Sequence, residues 1–175
     1  MSGEWKRFLV GVGLCAAAAL SSAGEVPATA DTTAFPNYRL VRPGLAVAGQ
    51  PSAEGLAQLK GMGFKTVINL RTEQEGAKDE EAAVKAAGLS YVSIPVTGAT
   101  LSMADADAVG RVLDDAAAAP VLLHCASANR VGAVWALLAV RQGKTLEEAE
   151  ALGRAVGLQS PALVEAMRKA ATPKP

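Results

Sequence analysis

The run Pro120-Val-Leu-Leu-His-Cys-Ala-Ser-Ala-Asn-Arg-Val-Gly132 constrains what this chain can fold into more than any other stretch. Val121, Leu122 and Leu123 form a short apolar run that reads as a buried strand. Val131 to Val140 is apolar on every side, as expected of a helix enclosed by a domain. Residues Cys125 to Asn129 must then be the turn between the two. Backbone N–H groups gather in such a turn, and the helix that follows adds its unpaired donors and the positive end of its dipole. The pattern predicts an anion-binding loop that opens on a cysteine and closes on an arginine.

Arg130 falls at the end of the dipole that disfavours a cation. No Asp or Glu occurs from Ala116 to Leu146, so its charge is balanced either by a bound anion or by a carboxylate from elsewhere, Glu73 or Glu75 for instance. Cys125 also has two readings. A lone cysteine is commonly a small buried hydrophobe. A thiol at a helix N-terminus beside a guanidinium is instead stabilised as its anion, below the free value of about 8.5, and is reactive. The loop position favours the second. His124 is the only histidine; it reads as a packed residue whose ring orients the loop and favours the thiolate. Without a second histidine, metal ligation is not expected.

Residues 1–23, or 1–30, read as a secretory signal segment. Lys6 and Arg7 precede the apolar run Phe8 to Leu20, which is shorter than the roughly 20 residues needed to span a bilayer. Small residues suited to cleavage occur at Ser21-Ser22-Ala23 and at Ala28-Thr29-Ala30. No stable membrane anchor is expected, and the location expected is periplasmic or secreted. Residues 24–36, rich in Ala, Thr and Pro, read as a disordered lead-in, and 171–175 as a disordered tail. Cleavage would remove Cys15 and leave Cys125 without a disulfide partner in an oxidising compartment. The whole chain has 17 basic and 17 acidic residues, and only 4 % are aromatic. No basic run interleaves with aromatics, so a nucleic-acid partner is not expected.

Residues 37–170 read as one α/β domain of three layers, with a small, mostly parallel central sheet flanked by helices. Leu45 to Ala48 is a first strand. Ser52 caps a helix to about Met62, Lys65 to Leu70 is a buried strand, and the charged run from Glu73 to Lys85 is a solvated helix stopped by Gly88. Ser90 to Val96 is the next strand, and Ser102 with Asp105 forms a capping box for the following helix. Thr145 and Ser160-Pro161 open the last two helices. Ligands collect at the carboxyl ends of parallel strands, so the loops bearing Arg71, Thr97 and Cys125 should converge. Arg71 either helps to bind an acidic substrate or pairs with the glutamates after it.

Three segments carry a family resemblance: Gly49-Gln50-Pro51-Ser52, Phe64-Lys-Thr-Val-Ile-Asn-Leu-Arg71, and His124-Cys-Ala-Ser-Ala-Asn-Arg130 with Val131-Gly132. They resemble the cysteine-dependent phosphatases of the tyrosine and dual-specificity superfamily, most closely the bacterial beta-lactamase-hydrolase-like branch. The resemblance implies a cysteine-phosphatase-like fold. It implies that Cys125 attacks phosphorus, giving a cysteinyl-phosphate that water hydrolyses. Arg130 and the backbone of Ala126, Ser127, Ala128 and Asn129 would hold the phosphate oxygens, with no cofactor and no metal. The expected partner is a small phosphorylated substrate or a phosphoprotein.

The chain departs from the superfamily pattern in three places. Four residues rather than the common five separate Cys125 from Arg130. Ala128 replaces a glycine usual in this loop, and would carry strain if its φ is positive. The loop Thr97-Gly-Ala-Thr100 has no general acid; Asp105 and Asp107 come next, but Asp105 already serves as a cap. Reduced turnover and a preference for good leaving groups such as aryl phosphates would follow. Two other functions fit part of the pattern: a rhodanese-like sulfurtransferase carrying a persulfide on Cys125, and a pseudophosphatase that binds oxyanions without turnover.

Overall fold

The computed structural model describes residues 26–172. The expected signal segment, residues 1–23, lies outside the described residues. Five strands, β1 (Arg39–Arg42), β2 (Leu45–Ala48), β3 (Thr66–Asn69), β4 (Ser90–Ser93) and β5 (Val121–His124), form one sheet in the order β1-β2-β5-β3-β4. β1 is antiparallel to β2, and all other pairings are parallel. Helices α1 (Ala53–Gln58) and α2 (Ala77–Ala86) cover one face. Helices α3 (Met103–Asp114), α4 (Asn129–Arg141), α5 (Leu146–Ala155) and α6 (Pro161–Ala171) cover the other. This is the three-layer α/β arrangement expected from the sequence.

Strand alternation decides which side chains reach which layer. In the central strands, Ile68 and Leu123 face the α3–α6 layer, with Leu70 and Cys125 continuing the same side just past the strand ends. Val67 and Leu122 face α1 and α2. Asn69 and His124, next in that second alternation, therefore point to α2 and away from Cys125. Helix α4 is fixed by a close approach to α5. A Cβ on Gly132 would lie 2.6 Å from the carbonyl oxygen of Gly153, so only glycine permits this backbone contact.

Local signals place the helix starts. Ser52 accepts from the Gly55 amide, Ser102 and Thr145 form capping boxes with Asp105 and Glu148, and Ser160 accepts from the Leu163 amide ahead of α6.

Four expectations need correction. β1 was not anticipated, because Arg39-Leu-Val-Arg42 is short and half exposed; the Pro43-Gly44 turn, with Gly44 at φ +77°, pairs it with β2. The strand at Ser90 stops at Ser93 rather than Val96. The charged run from Glu73 breaks into a single 3₁₀ turn, Glu73–Glu75, and helix α2, because Gly76 takes φ +85°. Lastly, the expected disordered lead-in is part of the fold from Val26 onward. Val26, Ala34 and Phe35 are buried against α1 and β2, and the Tyr38 hydroxyl donates to the Pro27 carbonyl at 2.7 Å. The Ala, Thr and Pro content of this stretch masked two apolar anchors.

Phe35 tests that packing. Replacing it with alanine is expected to lower the stability of the folded chain by about 3–5 kcal/mol in denaturant unfolding. A change within about 0.5 kcal/mol, typical of an unpacked surface position, would show that the segment does not anchor.

Candidate active site

The carboxyl ends of β2, β3 and β5 meet beneath the loop that joins β5 to α4. Cys125 is the first residue after β5 and has none of its surface exposed. Its burial suits both a core residue and a sulfur at the floor of a site. Arg130, in the first turn of α4, lies beside this sulfur. Its guanidinium is held above its ordinary value first by hydrogen bonding to Glu75, against the opposing effect of burial, and further by the charge and hydrogen bonding of Cys125.

Glu75 balances Arg130, through two contacts: Nη2 donates to Oε1 at 2.6 Å and Nη1 to Oε2 at 2.8 Å. Nη1 also donates to the carbonyls of Val96 at 3.0 Å and Leu70 at 3.4 Å. Of the two alternatives, a bound anion or a carboxylate from elsewhere in the chain, the structure shows the second, and the carboxylate is that of Glu75. Of the five N–H groups of a guanidinium, the one on Nε and the second on Nη2 are not taken by Glu75, Val96 or Leu70. Arg130 holds Glu75 well below the usual carboxylate range, at about 2. Glu75 is therefore ionised at neutral pH and is not a proton donor.

The loop itself is held from outside. The Gln50 amide donates to the Ala126 carbonyl at 3.1 Å, and Asn37 Nδ2 donates to the Ser127 carbonyl at 3.3 Å. Asn37 takes φ +56° to do so. Among the described residues nothing accepts from the backbone N–H groups of Ala126, Ser127, Asn129 and Arg130. Helix α4 begins without a side-chain cap or an acidic residue in its first turn. Its N-terminus is therefore a concentration of unpaired donors with the positive end of a dipole behind it.

Ala128 has φ +66°, the left-handed conformation that the glycine usual at this position would adopt without cost. Its methyl group is buried. Gly157 makes room for it: a Cβ there would lie 2.8 Å from the Ala128 Cβ.

Several expected site residues do other work. The Asn129 side chain accepts from the amides of Gln159 and Ser160 at 2.7 and 2.8 Å, so it ties the loop to the turn before α6 and only its own amide is left for a ligand. Arg71 is buried and donates to Glu80 at 3.0 Å, so of its two expected roles the structure shows pairing with a following glutamate. The intervening charge that takes it is on α2, not in the exposed run just after it. His124 lies on the opposite face from the sulfur, with Nε2 at 2.7 Å from Glu80 and Nδ1 at 3.4 Å from the Cys125 carbonyl oxygen. Its one contact with the loop is at the Cys125 carbonyl oxygen. Asp105 accepts from the Ser102 amide and hydroxyl, and Asp107 pairs with Arg141 at 3.1 Å.

Sequence reasoning passed over Glu80 and Asn37, and it gave Gln50 and Asn69 no role beyond the segments that carry the resemblance. For Glu80 a signal existed: Ala77, Glu80 and Val84 fall at helical spacing and form the buried stripe of α2.

The model of the family described as "Beta-lactamase hydrolase-like protein, phosphatase-like domain" matches residues 37–142. A beta-lactamase hydrolase-like protein of Xylella fastidiosa (strain Temecula1) is 36 % identical over 119 residues, 65 % of this chain and 27 % of that protein. One of Agrobacterium fabrum is 36 % identical over 98 residues, 53 % of this chain and 22 % of that protein. The match thus spans about a quarter of the length of these curated relatives. Among solved structures, P. aeruginosa TpbA in complex with phosphotyrosine superposes with a TM-score of 0.63 at 23 % identity, covering 86 % of this chain and 90 % of that one. The core catalytic domain of the S. cerevisiae PP-IP phosphatase SIW14, in complex with citrate, gives 0.59 at 15 % identity over 77 % and 85 %. The fold is that of the cysteine phosphatases.

The Glu75–Arg130 pair predicts a pH signature. A carboxyl lowered from 4.5 to about 2 on folding contributes stability that is complete above its ordinary value and is lost as pH falls through the lowered one. The stability gap between the wild type and Glu75→Gln, measured by denaturant unfolding, should be constant from neutral pH down to about 4.5 and should close on approach to about 2. A gap missing at neutral pH would contradict the pairing.

Proposed function

Because the chain belongs to the family of beta-lactamase hydrolase-like proteins with a phosphatase-like domain, we propose that it is an exported, cysteine-dependent phosphatase acting on phosphate monoesters. The observation that carries this reading is the placement of Arg130. It stands between the Cys125 sulfur and the Glu75 carboxylate, at an uncapped helix N-terminus whose loop amides are unpaired.

A phosphate dianion would dock with its oxygens on the amides of Ala126, Ser127, Asn129 and Arg130 and on the free edge of the guanidinium. The Cys125 thiolate would attack phosphorus on the side away from the ester oxygen. An S–P bond forms as the P–O bond breaks, and the ester oxygen leaves with the electron pair. Water then attacks phosphorus, the S–P bond breaks, and inorganic phosphate departs with the thiolate restored. Nucleophilic catalysis divides the reaction into two steps, and preorganised donors stabilise the charge on the equatorial oxygens in both. Glu75 fixes the arginine without donating a proton. The leaving group must then depart as its anion or take a proton from water, which favours aryl over alkyl esters. Phosphotyrosine bound to TpbA supports a phosphorylated substrate, either a small molecule or a phosphoprotein.

Release of phosphate from para-nitrophenyl phosphate tests this directly. The wild type should turn over, Cys125→Ser should not, and a simple alkyl phosphate should be slower by at least ~100-fold, the share of a missing general acid. Thiocyanate formation from thiosulfate and cyanide without phosphate release would favour the sulfurtransferase. Phosphate binding without turnover would favour an oxyanion-binding module.

Export carries its own expectation. Val26 is buried and Pro27 accepts the Tyr38 hydroxyl, so cleavage after Ala30 would strip residues that the fold uses. N-terminal sequencing of the exported chain should begin at Gly24; a start at Asp31 would contradict this.

A further inference from the structure

Helix α2 carries a buried carboxylate at the site end of the sheet, and the phosphatase reaction as described makes no use of it. Glu80 accepts four hydrogen bonds from four different residues. Oε1 takes His124 Nε2 at 2.7 Å and Asn69 Nδ2 at 2.9 Å; Oε2 takes Arg71 Nη1 at 3.0 Å and Gln50 Nε2 at 3.2 Å. Asn69 and His124 end β3 and β5, Arg71 follows β3, and Gln50 follows β2. One carboxylate therefore ties together the three strand ends on which the Cys125 loop rests.

Two of these partners continue to the loop. His124 Nδ1 lies 3.4 Å from the Cys125 carbonyl oxygen, and the backbone N–H of Gln50, whose side chain Glu80 holds, donates to the Ala126 carbonyl at 3.1 Å. These are consecutive carbonyls at the start of the loop. A carbonyl turned toward a phosphate repels it, whereas one held outward leaves the loop's N–H groups for the ligand. We propose that Glu80 is a positioning residue of the oxyanion loop, acting through Gln50 on the Ala126 carbonyl and through His124 on the Cys125 carbonyl in the doubly protonated form of the ring, the one form in which Nε2 donates to Glu80 and Nδ1 to that carbonyl. The inference rests on the reading of this loop as a phosphate site.

Stability alone gives a weak account of the group. A buried ion pair is often matched or bettered by well-packed apolar residues, so its presence points to geometry rather than to holding the fold together. The rest of the network serves the same geometry. Asn69 Oδ1 accepts the Arg71 amide at 2.8 Å, and Asn69 Nδ2 also reaches the Tyr91 hydroxyl at 2.9 Å. That hydroxyl donates to the Ala77 carbonyl on α2 at 2.8 Å, and burial first, then the charge of Glu80, pushes it up to about 12. Helix α2 is thereby registered against β3 and β4, with Glu80 beneath the loop.

The test measures inorganic phosphate binding by calorimetry, kcat and KM with para-nitrophenyl phosphate, and thermal unfolding, all on the full exported chain. Glu80→Gln is expected to weaken phosphate binding and lower kcat by about tenfold, the size of effect seen when an outer partner of a binding group is lost. Both readouts are taken well below the unfolding midpoint, where a merely structural role would leave them at wild-type values. Combination with His124→Asn should be non-additive for phosphate affinity, because Glu80 acts through that ring. Gln50→Ala removes one link only and should weaken phosphate binding by about threefold, so it decides the matter if Glu80→Gln does not fold. Wild-type phosphate affinity and kcat in a folded variant, or full additivity with His124→Asn, would overturn the proposal. A wild type that binds phosphate without releasing it from an ester would sink the phosphatase reading alone, since binding still measures what Glu80 does.

Discussion

The guanidinium of Arg130 joins parts of the chain that have no other reason to meet. It donates to the carbonyls of Leu70 and Val96 and grips Glu75 with two hydrogen bonds, so the ends of β3, the segment after β4, the 3₁₀ turn and the start of α4 are all registered on one planar group. Charge-assisted, bidentate contacts of this kind fix orientation as well as distance. A half-buried cation at the positive end of a helix would otherwise be unfavourable. Glu75 offsets that.

The loop above this cation accepts strain in return for shape. Ala128 holds a left-handed conformation that costs an L-residue roughly 1–2 kcal/mol, and Asn37 holds another beside it. Both persist because their surroundings over-determine them: Asn37 reaches the Ser127 carbonyl, and the Ala128 methyl fills the space that Gly157 leaves. Fewer residues between Cys125 and Arg130 give a tighter turn than the common one, and the Gln50 amide secures it from outside.

Much of this was legible in the sequence because it depends on local signals. The strand–turn–helix around Cys125 follows from an apolar run, a polar break and a second apolar run, and the caps Ser52, Ser102, Thr145 and Ser160 announce four helices. The pairing of β1 with β2 escaped because four half-exposed residues offer too little alternation. The Glu80 network escaped for a deeper reason. A glutamate in a charged helix reads as solvated, and its four donors lie between nine and forty-four residues away along the chain. Only the packing of α2 over the strand ends brings them together. Arg71 had two readings, substrate binding or pairing with the glutamates after it; Glu80 is one of those glutamates, and tertiary structure decides which of them takes it.

In a cysteine-dependent phosphatase the sulfur beneath the loop becomes phosphorylated during turnover. Rapid acid quenching during turnover of para-nitrophenyl phosphate, followed by mass spectrometry of the peptide containing Cys125, reads this step directly. One phosphoryl group on Cys125, absent in an Arg130→Ala chain, is the predicted result. Phosphate released with that cysteine unmodified at every quench time would contradict the account.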